Sequence, residues 1–326
     1  MELNIIELLI AFAGGIFGAA IGAFPVWVLC GLAVLIGATV NLTSGNPDFM
    51  NLVAWGIFLG PHTSFAGGCA AAAFAAKKKL ITNGRDICTA LVGLNNPSVL
   101  LVGGLFGILG HLILLIINLI PNYSDTTWTN TIALAVILNM FITRLVYGNT
   151  GLLGKKEGKT NRWIPTNEHS WVIYQSDSLQ ILLLAIAIGS PAAYMAIILP
   201  GSSGLIFGFA TVAYTFMIMG YKIPVTHHIA LSSSMVTATT GNIAWGIAFG
   251  ILAAYIGELC AAAFVYHGDT HIDPPTMALV ITFTIYPALE YIGVFEYNGI
   301  FTWIVPIVVA TGGFVTLNQL RKIKEY

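Results

Sequence analysis

The chain has 326 residues, of which 57% are hydrophobic and only 8% charged, with a mean hydropathy of +0.84. A water-soluble domain of this length needs far more polar surface, so the composition predicts a protein whose main solvent is lipid. The formal net charge of −1 gives no electrostatic ground for binding nucleic acid.

Taken in chain order, apolar stretches long enough to cross a bilayer run near residues 4–24, 26–43, 51–76, 86–120, 128–147, 178–199, 201–220, 241–266, 276–296 and 299–318. Residues 223–240 form a shorter segment rich in Ser and Thr. The expectation is an all-α polytopic membrane protein of about 10–11 transmembrane helices, some broken at Pro or Gly. The opening Met1-Glu2-Leu3-Asn4 lacks the basic start of a secretory leader, so the first apolar run reads as a retained helix. Cys30, Cys69, Cys88 and Cys260 lie in or beside apolar runs without paired spacing and read as small packing residues.

The chain also resembles itself. Displaced by 190 residues, Ala54-Trp55-Gly56-Ile57 and Gly60 fall on Ala244-Trp245-Gly246-Ile247 and Gly250, and Ala71-Ala72-Ala73-Phe74 falls on Ala261-Ala262-Ala263-Phe264. Two repeated halves follow: 1–125 as the first repeat, 126–198 as linking helices with the longest polar loop, and 199–326 as the second. Facing repeats commonly build a transport site between them.

Lys77, Lys78, Lys79 and Arg85 form one basic cluster, Lys155, Lys156, Lys159 and Arg162 a second, and Arg321, Lys322 and Lys324 a third, with Lys222 alone. The positive-inside rule places these segments in the cytoplasm. The loop after the first Ala-rich helix is basic, whereas 267–275, its partner in this register, is not. That contrast points to inverted repeats. Counting crossings points to parallel ones, and the outcome turns on whether residues 86–120 cross once, twice, or enter and return.

Polar groups at membrane depth are costly and therefore mark candidate sites. Glu258, in Gly257-Glu258-Leu259-Cys260, is the expected ion- or proton-coupling carboxylate. His62, Thr63 and Ser64 follow Pro61, which breaks the helix and frees carbonyls to face a cavity. Asn95 and Asn96 precede Pro97 at a second break, and Trp55 and Trp245 are expected to line or brace the same substrate site. The string Asn95-Asn96-Pro97 with Leu100 and Gly103 is similar over about ten residues to the Asn-Pro signature of urea channels, which also have two repeated halves. That resemblance implies a small polar solute, although Tyr286-Pro287 lacks the asparagine a second signature needs.

His227-His228 and the following Ser232, Ser233, Ser234, Thr237, Thr239, Thr240 and Asn242 suit either an unwound cavity-lining stretch or a loop outside the membrane. His267, His271 and Asp273 could ligate a metal such as Zn²⁺. No established catalytic pattern and no phosphate-binding loop is present, so an enzyme is not expected and no cofactor is implied. The functional expectation is a multi-pass permease of the cell membrane, moving a small solute through a site between the repeats with ion or proton coupling. A passive channel and a membrane metal protein built on His267–Asp273 stand as alternatives. The expected partners are the bilayer and a small-molecule or ion substrate, with a homo-oligomer also admitted.

Overall fold

The computed structural model describes residues 4–122, 127–156, 158–165 and 172–324. Among them the chain is all helical, with one isolated bridge between Gly84 and Thr270 and no strand. In chain order the helices are α1 (Ile5–Ile21), α2 (Ala23–Ser44), α3 (Ser64–Lys77), α4 (Pro97–Ile117), α5 (Thr131–Tyr147), α6 (Ser178–Ile198), α7 (Leu205–Val212), α8 (Tyr214–Ile218), α9 (His227–Thr240), α10 (Ile243–Cys260), α11 (Pro274–Tyr291) and α12 (Ile304–Lys322). Five helical stretches are long and apolar enough to cross a membrane: Ala23–Ser44, Pro97–Ile117, Ser178–Ile198, Ile243–Val265 and Ile300–Lys322. Large apolar side chains such as Leu9, Leu101, Leu183 and Ile307 stay exposed on the bundle, as a lipid-facing surface requires.

Residues 86–120 hold one continuous spanning helix, α4, preceded by a short 3₁₀ turn at Leu91–Leu94. Residues 51–76 are broken instead. A π turn at Met50–Ala54 gives way to irregular backbone, and α3 begins only at Ser64. Residues 223–240 are mostly the regular helix α9, rather than an unwound stretch or an outside loop. Its buried hydroxyls join helices: Ser232 bonds Thr282 at 3.0 Å, Ser233 donates to the Gly246 carbonyl at 2.9 Å, and Ser234 to that of Ser203 at 2.9 Å.

Two three-helix groups organise the packing. Helices α1, α3 and α4 pack on one another, and so do α6, α9 and α10. The groups meet where α2 crosses α7 and where α5 lies against α11, while α12 covers α10 and part of α6. Small residues make each group tight. In the first, Gly15, Gly67 and Gly103 converge so closely that a Cβ on Gly67 would sit 2.6 Å from the Gly103 carbonyl oxygen and 2.8 Å from the Gly15 Cα. In the second, Gly189, Ser233 and Gly250 meet in the same way, and a Cβ on Gly250 would lie 2.2 Å from Ser233 Oγ. Such junctions let backbones touch where lipid offers no hydrophobic drive to associate.

The helices do not follow the 190-residue register. That displacement lays α4 over the end of α11, two 3₁₀ turns and the start of α12. The shared Ala-Trp-Gly-Ile and Ala-Ala-Ala-Phe strings are small-residue packing patterns, which recur wherever membrane helices approach closely.

The basic clusters gather at one end. Lys77 Nζ donates to the Val146 carbonyl at 2.7 Å, Arg85 to that of Val265 at 3.3 Å, Arg162 to that of Ala263 at 3.3 Å, and Arg321 to that of Ser176 at 2.8 Å. The 267–273 loop sits at this same end, bridged to the loop after α3 through Gly84 and Thr270. The inference from sequence that the two loops lie on opposite sides is therefore wrong.

Candidate functional site

Two cavities open where the helix groups meet, and Trp27 of α2 lines both. Cavity I, about 270 Å³, opens beside the loop carrying Asn83, Arg85 and Asp86 at the basic end. Its apolar walls include Phe24, Trp27, Phe65 and Val225, and its polar lining includes His227, His271 and Asp273 besides Asn83, Arg85 and Asp86 of that loop. Cavity II, about 190 Å³, is lined by Trp27, Trp55, Pro61, Asn130, Phe207 and Phe283 among others.

Asp273 is held by the sequence that follows it. In Asp273-Pro274-Pro275-Thr276 the proline at the first helical position has no amide proton to satisfy, and the aspartate caps α11. Asp273 Oδ2 accepts from Thr276 N at 2.9 Å and from Thr276 Oγ1 at 2.5 Å. Oδ1 accepts from His271 Nε2 at 3.1 Å. Burial alone would raise the Asp273 carboxyl, but His271, the nearby His227 and the Thr276 hydroxyl together hold it below its ordinary value. In the other cavity, Asn130 caps α5 by accepting from Ala133 N at 2.9 Å.

Between the cavities lies a layer of rings. His227, at the start of α9, meets Trp27 and Phe207 edge-on with centroids 5.4 and 5.6 Å away, and its Nδ1 is hydrogen-bonded by the Tyr214 hydroxyl. Trp27 and Phe207 are themselves 5.8 Å apart, and Phe207 is 5.6 Å from Trp55.

The residues singled out from sequence separate in space. Trp55 lines cavity II beside Pro61, while Trp245 packs on Phe295 with centroids 4.9 Å apart and lines neither cavity. His62, Thr63 and Ser64 are buried at the break before α3. Thr63 Oγ1 donates to the carbonyls of Ile57 at 2.7 Å and Gly60 at 2.9 Å, and Ser64 Oγ to that of Leu59 at 2.8 Å. These hydroxyls satisfy the carbonyls that the break frees. His62 faces His111, which in turn lies 3.6 Å from the Glu7 carboxylate. Asn95 is exposed with a left-handed backbone (φ 47°), and Asn96 caps α4 by accepting from Ser98 N at 3.1 Å. The Asn-Asn-Pro string is a helix start. Gly110, which packs on the His62 carbonyl, lies fourteen residues further along the chain, or about 20 Å at the rise of an α-helix. Asn95 and Asn96 thus share no site with His62.

Glu258 faces away from both cavities. Its Oε1 accepts from Arg321 Nη2 at 2.9 Å and from the Tyr266 hydroxyl. His62 and Glu258 do not converge, because His62 turns towards His111 of α4 and Glu258 towards Arg321 of α12. His267, His271 and Asp273 do not assemble as a metal centre: among the described residues no three His, Cys, Asp or Glu side chains group as ligands. His271 and Asp273 instead bond each other.

Two features went unread in the sequence. Trp27 and Phe207 sit inside long apolar runs, where nothing distinguishes a cavity wall from packing. Arg144 reads as a helix-end residue free to reach solvent, yet it is buried. Its guanidinium donates to Thr270 Oγ1 and the Leu152 carbonyl, both at 2.9 Å, and to the carbonyls of Phe264 and Thr270. This one side chain pins the 267–273 loop that presents His271 and Asp273.

The model of a family described as a family of unknown function (DUF7973) matches residues 1–165 and, again, residues 156–304. The chain belongs to that family. Two matches in tandem divide the chain between α5 and α6, at the polar loop, and not in the 190-residue register. No curated protein and no solved structure matches it.

Proposed function

We propose that the chain is a multi-pass secondary transporter built from two inverted repeats, α1–α5 and α6–α11, with α12 added after them. The carrying observation is that the two cavities are lined from equivalent positions. Phe65 and His227 line cavity I, and Leu231 and Pro61 line cavity II; Pro61 stands to Phe65 as His227 stands to Leu231. Asn130 and Ile132 enter cavity II as Asp273 and Pro275 enter cavity I, each pair a helix cap and its second following residue.

The packing supports the same pairing. Gly15, Gly67 and Gly103 correspond to Gly189, Ser233 and Gly250, and the tandem family matches divide the chain at the same point. Helix α1 leads to the basic end, where Phe24 N donates to the Ile87 carbonyl at 2.8 Å, whereas α6 begins there, with Ser178 Oγ donating to Asn318 at 2.9 Å. Opposite directions of equivalent helices make the repeats inverted, and five crossings per repeat plus α12 make eleven. The basic end is then cytoplasmic.

Cavities on opposite sides of one aromatic layer suit alternating access, in which rocking of one repeat against the other opens each in turn. Single cysteines test this in a chain whose native cysteines are replaced. Val225→Cys in cavity I should react with a membrane-impermeant thiol reagent from the basic side only, and Met235→Cys in cavity II from the other side only. Solutes that are carried should protect one while exposing the other. Labelling of both from one side refutes the reading, and simultaneous labelling without reciprocity under any solute makes the protein a channel.

A further inference from the structure

Resting on that reading, we propose that cavity I binds a small organic cation, an alkylammonium or quaternary ammonium ion, through the Asp273 carboxylate and the faces of Trp27, Phe24 and Phe65. The charge on the cavity lining is the first argument. Arg85, at the mouth, donates to the Val265 carbonyl and lies in the field of Asp269, while Asp86 is turned back onto its own chain, accepting from Cys88 N and Thr89 N at 3.0 Å. Deeper in, the fixed charge is Asp273. His271 gives this carboxylate a hydrogen bond at 3.1 Å.

The second argument is the unused acceptor. Both cap bonds fall on Oδ2, and among the described residues Oδ1 receives His271 alone, so a lone-pair direction remains for an alkylammonium N–H, and a quaternary ion would meet the same oxygen by charge only. Aromatic walls are the third. Rings facing a desolvated cation attract it through their quadrupole, and three lie around this cavity. A carboxylate ligand would meet Asp273 with like charge. Cavity II continues the pattern with Trp55, Phe207 and Phe283 but carries neutral Asn130 where cavity I carries Asp273. A cation passing the Trp27 layer would leave the Asp273 carboxylate behind, which favours release on that side.

The test is calorimetric titration of the purified full-length protein with tetramethylammonium chloride and with n-butylammonium chloride, against sodium chloride and sodium acetate at equal ionic strength. Saturable binding of at least one organic cation, absent for sodium and acetate, is expected. Asp273→Asn, which keeps the cap of α11 as Asn130 does for α5, should weaken it by about tenfold or more, and Trp27→Leu by roughly three- to tenfold. Helical circular dichroism and monodispersity of both variants establish that they are folded. Acetate binding, no binding of either cation, or equal affinity in Asp273→Asn would overturn the assignment. Cation binding without side-specific labelling of Val225→Cys and Met235→Cys sinks the transport reading alone. Reciprocal labelling driven by a neutral or anionic solute sinks the cation site alone.

Discussion

Glu258, expected from sequence to couple an ion, is ion-paired with Arg321 in the structure, and a double-mutant cycle measures that contact. Glu258 Oε1 and Arg321 Nη2 are 2.9 Å apart, with side chains 7% and 19% exposed. At that separation and an effective dielectric near 20, the Coulomb attraction is about 6 kcal/mol before desolvation. The cost of taking both ions out of water removes much of it, and partial exposure of Arg321 screens more. Arg321 keeps its bonds to the Ser176 and Trp163 carbonyls when Glu258 is lost, and Glu258 keeps the Tyr266 hydroxyl when Arg321 is lost. We expect Glu258→Gln and Arg321→Gln each to cost about 2–4 kcal/mol, and the double variant to show a coupling of about 2 kcal/mol. Equilibrium unfolding in detergent micelles with urea, or rates of thermal inactivation if unfolding is irreversible, supplies the four stabilities. The ligand affinity of cavity I should be unchanged in Glu258→Gln. Coupling indistinguishable from zero, together with loss of gradient-driven uptake at full stability, would restore Glu258 as the ion-coupling acid and refute the structural argument.

Arg144→Met should destabilise the protein by about 3–5 kcal/mol, because three carbonyls and Thr270 lose one charged donor inside the protein; Arg144→Lys should fall between it and wild type in the same unfolding assay. Gly103→Ala puts a Cβ 2.6 Å from Ala19 Cβ and 2.7 Å from the Gly15 carbonyl oxygen, so backbones must separate, at about 1–3 kcal/mol. Gly250→Ala meets Ser233 Oγ first, and Ser233→Ala should rescue it, whereas no single side-chain truncation rescues Gly103→Ala. Asp273, with its carboxyl held below the ordinary value, contributes stability that is complete above the unfolded-state pKa near 4 and is lost as pH falls through the lower folded value. A thermal-stability profile from pH 7 to 3 should therefore fall on the acid side less steeply in Asp273→Asn, and an unchanged acid limb counts against the hydrogen-bonded carboxylate.

The helices were legible where a single rule governs them. Apolar length located the five helices long enough to cross a membrane, and Pro61 located the break before α3, because proline removes a donor in any setting. The site was less legible. A polar residue in an apolar run shows that something compensates it, but not whether the partner is a ligand or another side chain. Glu258 is compensated from α12, and Thr63 and Ser64 from carbonyls of their own broken segment. The signal at Asp273 was present, since Asp-Pro-Pro-Thr is a helix start, yet two neighbouring histidines made a metal loop the more conspicuous reading. The 190-residue register misled because glycine and alanine serve close packing in every part of the bundle, so their patterns match in many alignments.

In the pairing proposed here, the two halves keep their junctions and diverge in their polar groups. Gly103 and Gly110 correspond to Gly250 and Gly257, so His111, next after Gly110, corresponds to Glu258. His111 turns towards Glu7 on its own first helix, whereas Glu258 turns towards Arg321 on α12, a helix that the first half lacks. A carboxylate at that depth is too costly to stand alone, and the added helix supplies its counter-charge from the basic end, where a long arginine can reach inward. The same divergence separates Asn130 from Asp273 at equivalent helix caps. Inverted halves with identical polar groups would present the same affinity on both sides of the aromatic layer. One charged and one neutral cap make the cavities unequal, which gives a transporter of this design a side for capture and a side for release.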